Sequence, residues 1–389
     1  MTIVLVEALS FGLGRLADAA AEAGQRLVLF TGDRSIYQYE LSRRSIDVVE
    51  VDTFDANACT KALSSVPDLA GLISSTDTWA VPGAQLAADF GLPGPSVDAV
   101  RVLRDKARVR QLLHARGLSR GTAVDATPEL TDFPLVVKDS AGTSSRDVTL
   151  VHSTAELHAV LSGTGALKGR LIAEPFLAGP VYSAETLTWQ GKTRLLGVSS
   201  RQLSPVHRFR EESAAFPVAF GEKDTELLRQ WVSEVLAVAG HDRGFAHVEF
   251  VLGVEGPELV EINARIGGAL VGEALCRALG TNVYHAMIDM ALDRRPSLLD
   301  AVLPGGPAVA FSLIYPARPG RLAGWTGLDA LAMHPGEPEW YPTATPGDTF
   351  DQLADQRSCT GLVLVHGDTA ELAAHRAHSA ASLIHPTLT

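Results

Sequence analysis

Cysteine is nearly missing from this chain: there are 3 in 389 residues, Cys59, Cys276 and Cys359. None stands in a Cys-x-x-Cys pair, so the sequence offers neither a disulfide framework nor a zinc site. Long apolar runs are also absent. Glu7 comes too early for a secretory leader, and no later uncharged stretch is long enough to cross a bilayer. Positive charge is in deficit, with Lys+Arg 33 against Asp+Glu 45 and a formal net charge of −12. Nucleic acid and anionic membranes need a cationic footprint that such a chain lacks. A nucleotide ligand stays open, because it needs only a local basic pocket. The expectation is a cytoplasmic protein with small-molecule partners, no nucleic acid and no membrane.

What is present fits a globular chain, 46% hydrophobic and 20% charged, and too long for one ordinary core. Apolar runs at 3–6, 27–30 and 69–74 alternate with helical stretches at 14–24 and 80–90, the pattern of a parallel α/β layer. Leu92-Pro93-Gly94-Pro95 marks a boundary. The middle reads as α+β, with strands at 133–138, 148–151 and 170–174 and a hairpin turning at Gln190-Gly191. A helix over 226–239 carries Leu227, Trp231, Val235 and Val238 on one face. Pro304-Gly305-Gly306-Pro307 marks a second boundary, before strands at 308–315 and 361–365 and a final helix over 369–383. The expected division is 1–95, 96–300 and 301–389.

The most informative segment is a hairpin. Its first arm is His247-Val248-Glu249-Phe250-Val251-Leu252 and its second is Leu259-Val260-Glu261-Ile262-Asn263-Ala264-Arg265. With period two, His247 and Glu249 share one face, and Val248, Phe250 and Leu252 the other. Glu261, Asn263 and Arg265 share a face opposite Val260 and Ile262. The connection can set Glu249 opposite or diagonal to Glu261. Two carboxylates side by side repel, and a cation relieves that. Two acids and an amide suit magnesium, which takes few protein ligands. A solvated outer face fits the same pattern. Gly267-Gly268 is expected to open a helix whose free N–H groups face an anion.

Lys138 ends an apolar run before the small-residue loop Ala141-Gly142-Thr143-Ser144-Ser145. Short side chains there let backbone donors approach a phosphate. Lys106 lies inside a probable helix, where a solvated charged face is the plain reading. Glu174-Pro175-Phe176-Leu177 ends a strand and leaves backbone groups free for a base edge.

In this order the segments resemble the ATP-grasp superfamily, and among it the carboxylate–amine ligases, including stand-alone amino-acid ligases. The resemblance rests on Asp105-Lys106, Phe133 to Lys138 with its loop, Glu174 to Pro180 with Tyr182-Ser183-Ala184-Glu185, His247-x-Glu249, and Glu261-Ile262-Asn263-x-Arg265-x-Gly267-Gly268. It implies a Rossmann-like N-terminal domain, a two-lobed ATP-binding region and a small α+β C-terminal domain. ATP would lie with Lys106, Lys138, Gly142, Ser144, Ser145, Glu174, Phe176, Leu177 and Glu185. Magnesium, as two ions, with manganese an alternative, would lie on Glu249, Glu261 and Asn263. Arg265 would steady the transferred phosphoryl group. The acceptor pocket would involve His207, Arg208, Arg210, Arg265, Gly267 and Gly268. The implied reaction activates a carboxylate as an acyl phosphate and joins it to an amine; relatives are often homodimers.

The sequence departs from the family where Val181 stands in place of a ribose-binding Glu. It also departs at Phe209-Arg210-Glu211-Glu212, where His207, Arg208 and Arg210 would favour an acidic substrate. A biotin-carboxylase-like or purine-pathway enzyme is an alternative. So is an NAD-dependent oxidoreductase, because Gly12-Leu13-Gly14-Arg15-Leu16-Ala17 fits the dinucleotide fingerprint with Asp33 some 20 residues on.

Overall fold

The N-terminal apolar runs become the strands Thr2–Val6, Arg26–Thr31 and Leu69–Ile73, which Asp47–Glu50 joins in one four-stranded parallel sheet. The computed structural model describes residues 1–163, 169–206 and 209–389. Thr2–Val6 is buried along its whole length, as a strand covered on both faces requires.

The dinucleotide fingerprint loses its ground here. The N–H groups of Gly12 and Gly14 donate to the Glu40 carboxylate at 3.2 and 2.9 Å. An anion therefore already sits at the start of helix Leu13–Glu22, where a pyrophosphate would bind. A Cβ on Gly12 would lie 2.0 Å from the Tyr284 hydroxyl, so this glycine serves close packing. The Asp33 carboxylate accepts from the N–H and hydroxyl of Ser35 in its own turn.

The central region holds a four-stranded sheet in the order Val124–Asp125, Leu171–Pro175, Leu135–Asp139, Thr149–Val151. It also holds an eight-stranded sheet. Its order is Gly256–Asn263, Arg243–Gly253, Val181–Trp189, Lys192–Leu203, Glu211–Phe216, Ala308–Ile314, Gly361–Gly367, Glu339–Pro342. The last three strands lie beyond the Pro/Gly-rich segment at 304–307. They continue the central sheet, with Ser213 paired to Ser312, so hydrogen bonding crosses the segment that breaks the sequence pattern. The turn at Gln190 (φ 50°) and Gly191 (φ 74°) has the left-handed pair that a two-residue hairpin needs.

Two local expectations are corrected. Helix Glu222–Val238 buries Leu228, Val232, Val235 and Leu236, whereas Leu227 is 53% exposed. The stripe at 228, 232, 235 and 236 packs on the sheet, and Trp231 meets Phe250 edge-on from its border. The segment Gly267-Gly268 does not itself open a helix. A turn follows it, and the helix begins at Val271. No helix among the described residues is long and apolar enough to cross a membrane.

The N-terminal layer docks tightly on the rest. Arg15 forks the Glu273 carboxylate at 2.9 and 2.7 Å. Gly71 is so close to Ala291 that a Cβ would stand 2.5 Å from its carbonyl oxygen. The loop that follows Leu69–Ile73 is thereby held over the central sheet.

Candidate active site

One cavity of about 790 Å³ gathers residues from every part of the chain. Its floor is a face of the eight-stranded sheet. One wall comes from the strand and loop around Lys138, and another from the N-terminal loops at 9–11 and 76–79. Both N-terminal loops leave the carboxyl ends of parallel strands, where α/β layers place their ligands.

Across the hairpin Glu249 pairs directly with Glu261. The register then slips, so that Phe250 pairs with Leu259 and Val260 is left without a partner. This bulge overturns the expected alternation. Leu259 and Ile262 enter the core, while Val260 turns to the cavity beside Glu261. The two acids do not stand alone. Lys106 Nζ lies 2.9 Å from Glu261, and Arg201 Nη1 lies 3.6 Å from Glu249. Burial by itself would push the Glu261 carboxyl up, but Lys106 outweighs it and holds the group below the usual carboxylate range. Asn263 donates its amide to Glu261 at 2.9 Å. The set of two carboxylates and an amide is hard and anionic, and it fits a divalent ion with few protein ligands. No cluster of three or more His, Cys, Asp or Glu side chains suited to a metal occurs among the described residues. Magnesium held by so few protein ligands would complete its oxygen shell with water and phosphate.

Lys106 lies in a helix, as its first residue. Asp105 caps a break between helices Val97–Arg104 and Lys106–His114, accepting from the N–H groups of Ala107 and Arg108. The break aims Lys106 at the cavity, where Nζ also donates to the Gly142 carbonyl at 2.7 Å. Gly142, Ser144 and Ser145 line the cavity, and both serines hold positive φ, 59° and 55°. Lys138 is buried and lies 2.7 Å from Glu174, which also faces Arg110 at 3.4 Å. Burial raises the Glu174 carboxyl, but these two cations bring it below its ordinary value. Both cations meet Oε2, Oε1 has no hydrogen-bond partner among the described residues, and Glu174 lines the cavity together with Phe176 and Leu177.

Other expected positions fall elsewhere. Glu185 is buried, accepting from Ser183 at 2.8 Å and Ser199 at 3.0 Å and contacting His247 Nδ1 at 2.9 Å. Period two sets it on the same face as Val181, which lines the cavity, but farther along the strand, where it pairs with His247 and is covered. Arg210 also turns away. It donates to Glu212 at 2.8 Å and to the Leu353 carbonyl at 2.7 Å, and stacks on Tyr315. His207 and Arg208 lie outside the described residues. Gly268 lines the cavity, whereas Gly267 makes room for His247, whose Nδ1 would stand 2.7 Å from a Cβ there. Burial lowers the His247 imidazole, but Glu185 more than reverses this and raises it to about 9.

Four participants were not read as site residues from the sequence. Arg201 reaches from Lys192–Leu203 to Glu211 at 2.9 Å and toward Glu249. Burial pushes the Glu211 carboxyl up against the pull of Arg201. Asp77 accepts from Arg265 through both Nε, at 2.9 Å, and Nη2. Arg104 Nη1 lies 3.4 Å from the same carboxylate. The only sequence signal for Asp77 was its place after a parallel strand. For Arg201 it was a shared face with Ser199 and Leu203, with nothing to say that the face is inward.

The ATP-grasp domain family matches residues 131–273, and the family "L-amino acid ligase C-terminal domain 2" matches residues 312–389. The L-arginine-specific L-amino acid ligase of Bacillus subtilis is 21% identical over 296 residues, covering 72% of this chain and 71% of that protein. Carnosine synthase 1 of Gallus gallus is 27% identical over 61% of this chain, which spans only 28% of that longer protein. Among solved structures, the L-amino acid ligase of Bacillus licheniformis superposes with a TM-score of 0.84 at 19% identity, over 100% of this chain and 98% of that one. The acid pair, the two lysines and Arg265 meet in one cavity within that fold. The chain carries an ATP-grasp domain followed by an L-amino acid ligase C-terminal domain, and it is an ATP-dependent carboxylate–amine ligase.

Proposed function

We propose that the chain forms a peptide bond: it activates the carboxylate of an amino acid with ATP and couples it to an amine, with release of ADP and phosphate. The observation that carries this is the direct cross-strand pairing of Glu249 with Glu261, in one cavity with Lys106, Lys138 and Arg265. Lys106 and Lys138 bind the phosphates, and the backbone at 174–177 reads the adenine. The loop with Gly142, Ser144 and Ser145 covers the triphosphate and excludes water, which would hydrolyse an acyl phosphate. Glu249, Glu261 and Asn263 hold two divalent ions, magnesium by preference, and the ions neutralise phosphate charge as in phosphoryl transfer generally. Arg265 binds the phosphoryl oxygens as charge moves onto the leaving group.

The floor supports an amino acid as the activated partner. Read across the strands, it runs from Glu261 and Glu249 through Arg201 and Glu211 to the apolar Leu313 and Leu362. Arg210, the described residue once expected to draw an acidic side chain, points elsewhere. The same reading carries a functional division at 1–95, 96–300 and 301–389, a cytoplasmic location and a homodimer. Light scattering on the purified chain tests the last of these.

The test is phosphate release from ATP and magnesium over a matrix of amino acids, alone and in pairs, with bicarbonate as a separate row. Release that requires a particular pair, and vanishes in Glu261→Gln, supports peptide-bond formation. Release driven by bicarbonate alone would defeat it.

A further inference from the structure

The N-terminal layer contributes more than packing to this cavity. Asp77 sits in the loop between strand Leu69–Ile73 and helix Ala80–Asp89, and its side chain is only 9% exposed. It meets Arg265 along one edge of the guanidinium, accepting from Nε and Nη2. Arg265 Nη1 donates to the Ile266 carbonyl at 2.9 Å. A guanidinium carries five N–H donors in a rigid fork. With these three directed, Nη1 and Nη2 each keep one donor for an anion in the cavity, which Arg265 lines. On its other side Asp77 faces Arg104, whose Nη2 donates to the Ala141 carbonyl at 3.0 Å, at the start of the phosphate loop. One carboxylate from the N-terminal layer thus ties the arginine at the reacting centre to the loop over the phosphates.

We infer that Asp77 is a positioning residue for ligation: it orients the Arg265 fork toward the transferred phosphoryl group and links that orientation to closure of the loop at 141–146. The inference rests on the role given to Arg265 above. Misorientation of a group at the reacting centre by about 1 Å can cost about 100-fold in rate. The effect falls on turnover, because Asp77 itself touches neither the adenine hinge nor the lysines.

The experiment is a double-mutant cycle on the full chain with Asp77→Asn, Arg265→Lys and the pair, each checked for thermal stability. Asp77→Asn is expected to lower kcat by about tenfold to 100-fold and to leave the KM for ATP within about threefold. Asp77→Glu should recover part of the loss. The double variant should fall no further than Arg265→Lys alone, since a residue acting through another is not additive with it. A fully multiplicative double variant overturns the inference, as does an Asp77→Asn enzyme with unchanged or raised kcat. A raised kcat would mean that Asp77 masks Arg265 rather than aims it. If Asp77→Asn does not fold, the cycle is run with Asp77→Glu, and the same additivity decides. An Arg265→Lys enzyme with full turnover defeats the site reading itself, a result separate from any on Asp77.

Discussion

Two glycine-bearing turns in this chain look alike as candidate anion sites, and they end differently. The start of helix Leu13–Glu22 has the better sequence credentials, with glycines at the fingerprint positions after a parallel strand. Its free N–H groups are already taken by Glu40, and Tyr284 packs where a ligand would approach. The loop at 141–146 is poor in glycine, and two of its serines adopt the left-handed backbone that glycine usually supplies. Yet it is this loop that lines the cavity, beside Lys106 and Lys138. A turn binds an external anion only where the fold has not supplied an internal one. Strain at functional loops is a familiar companion of that role.

The comparison can be broken most sharply on the cavity side. Glu261→Gln or Glu249→Gln should reduce magnesium-dependent phosphate release by about 100-fold or more, since even indirect partners of bound metals are worth about 10-fold to 100-fold. A variant with normal release would mean that the acid pair is only a solvated hairpin face. A magnesium titration of each variant would show whether the loss lies in ion affinity.

Next in size is the buried carboxylate behind Lys138. Glu174→Gln leaves Lys138 and Arg110 without their shared charge, a loss of about 3–5 kcal/mol for a broken buried pair. The folded-state carboxyl sits below its ordinary value of 4.5, so its stabilising contribution is present above that value. It is lost as pH falls through the folded value. Chemical denaturation between pH 3 and pH 7 should therefore show a steeper acid loss in the wild type than in the variant. Parallel curves would count against the pair as a source of stability.

The smallest effect is expected at the other turn. Glu40→Gln should cost about 0.3–1 kcal/mol through the weakened helix start and leave ligation within about twofold of wild type. Neither protein should gain thermal stability with NAD. A clear NAD-dependent shift in the variant would show that Glu40 stands in for a pyrophosphate, and the two turns would then be closer in kind than proposed.

Much of the architecture was legible because it follows from local chemistry. The N-terminal strands, the Gln190-Gly191 turn and the final helix Ala370–Ala381, capped by Thr369, all come from periodicity and turn residues. The facing acids were legible for a similar reason: two carboxylates at facing positions of a hairpin need an explanation wherever it folds. The break before Lys106 was missed because Asp105 reads as helical charge until its carboxylate is seen accepting from the next turn. Val260 was assigned to the wrong face because a bulge adds one unpaired residue, and a period-two count cannot register it.

By itself, then, the sequence determined which elements form, where the lysines, acids and Arg265 stand along them, and the family they resemble. The tertiary structure alone decided the partners: Asp77 on Arg265, Arg201 between Glu211 and Glu249, Glu185 under His247, and Glu40 on the tempting glycines. The reason is physical. Hydrogen-bond periodicity acts over a few residues and leaves its mark in composition, whereas a buried charge pairs with whatever opposite charge the packed sheets bring within about 4 Å, however far along the chain it lies.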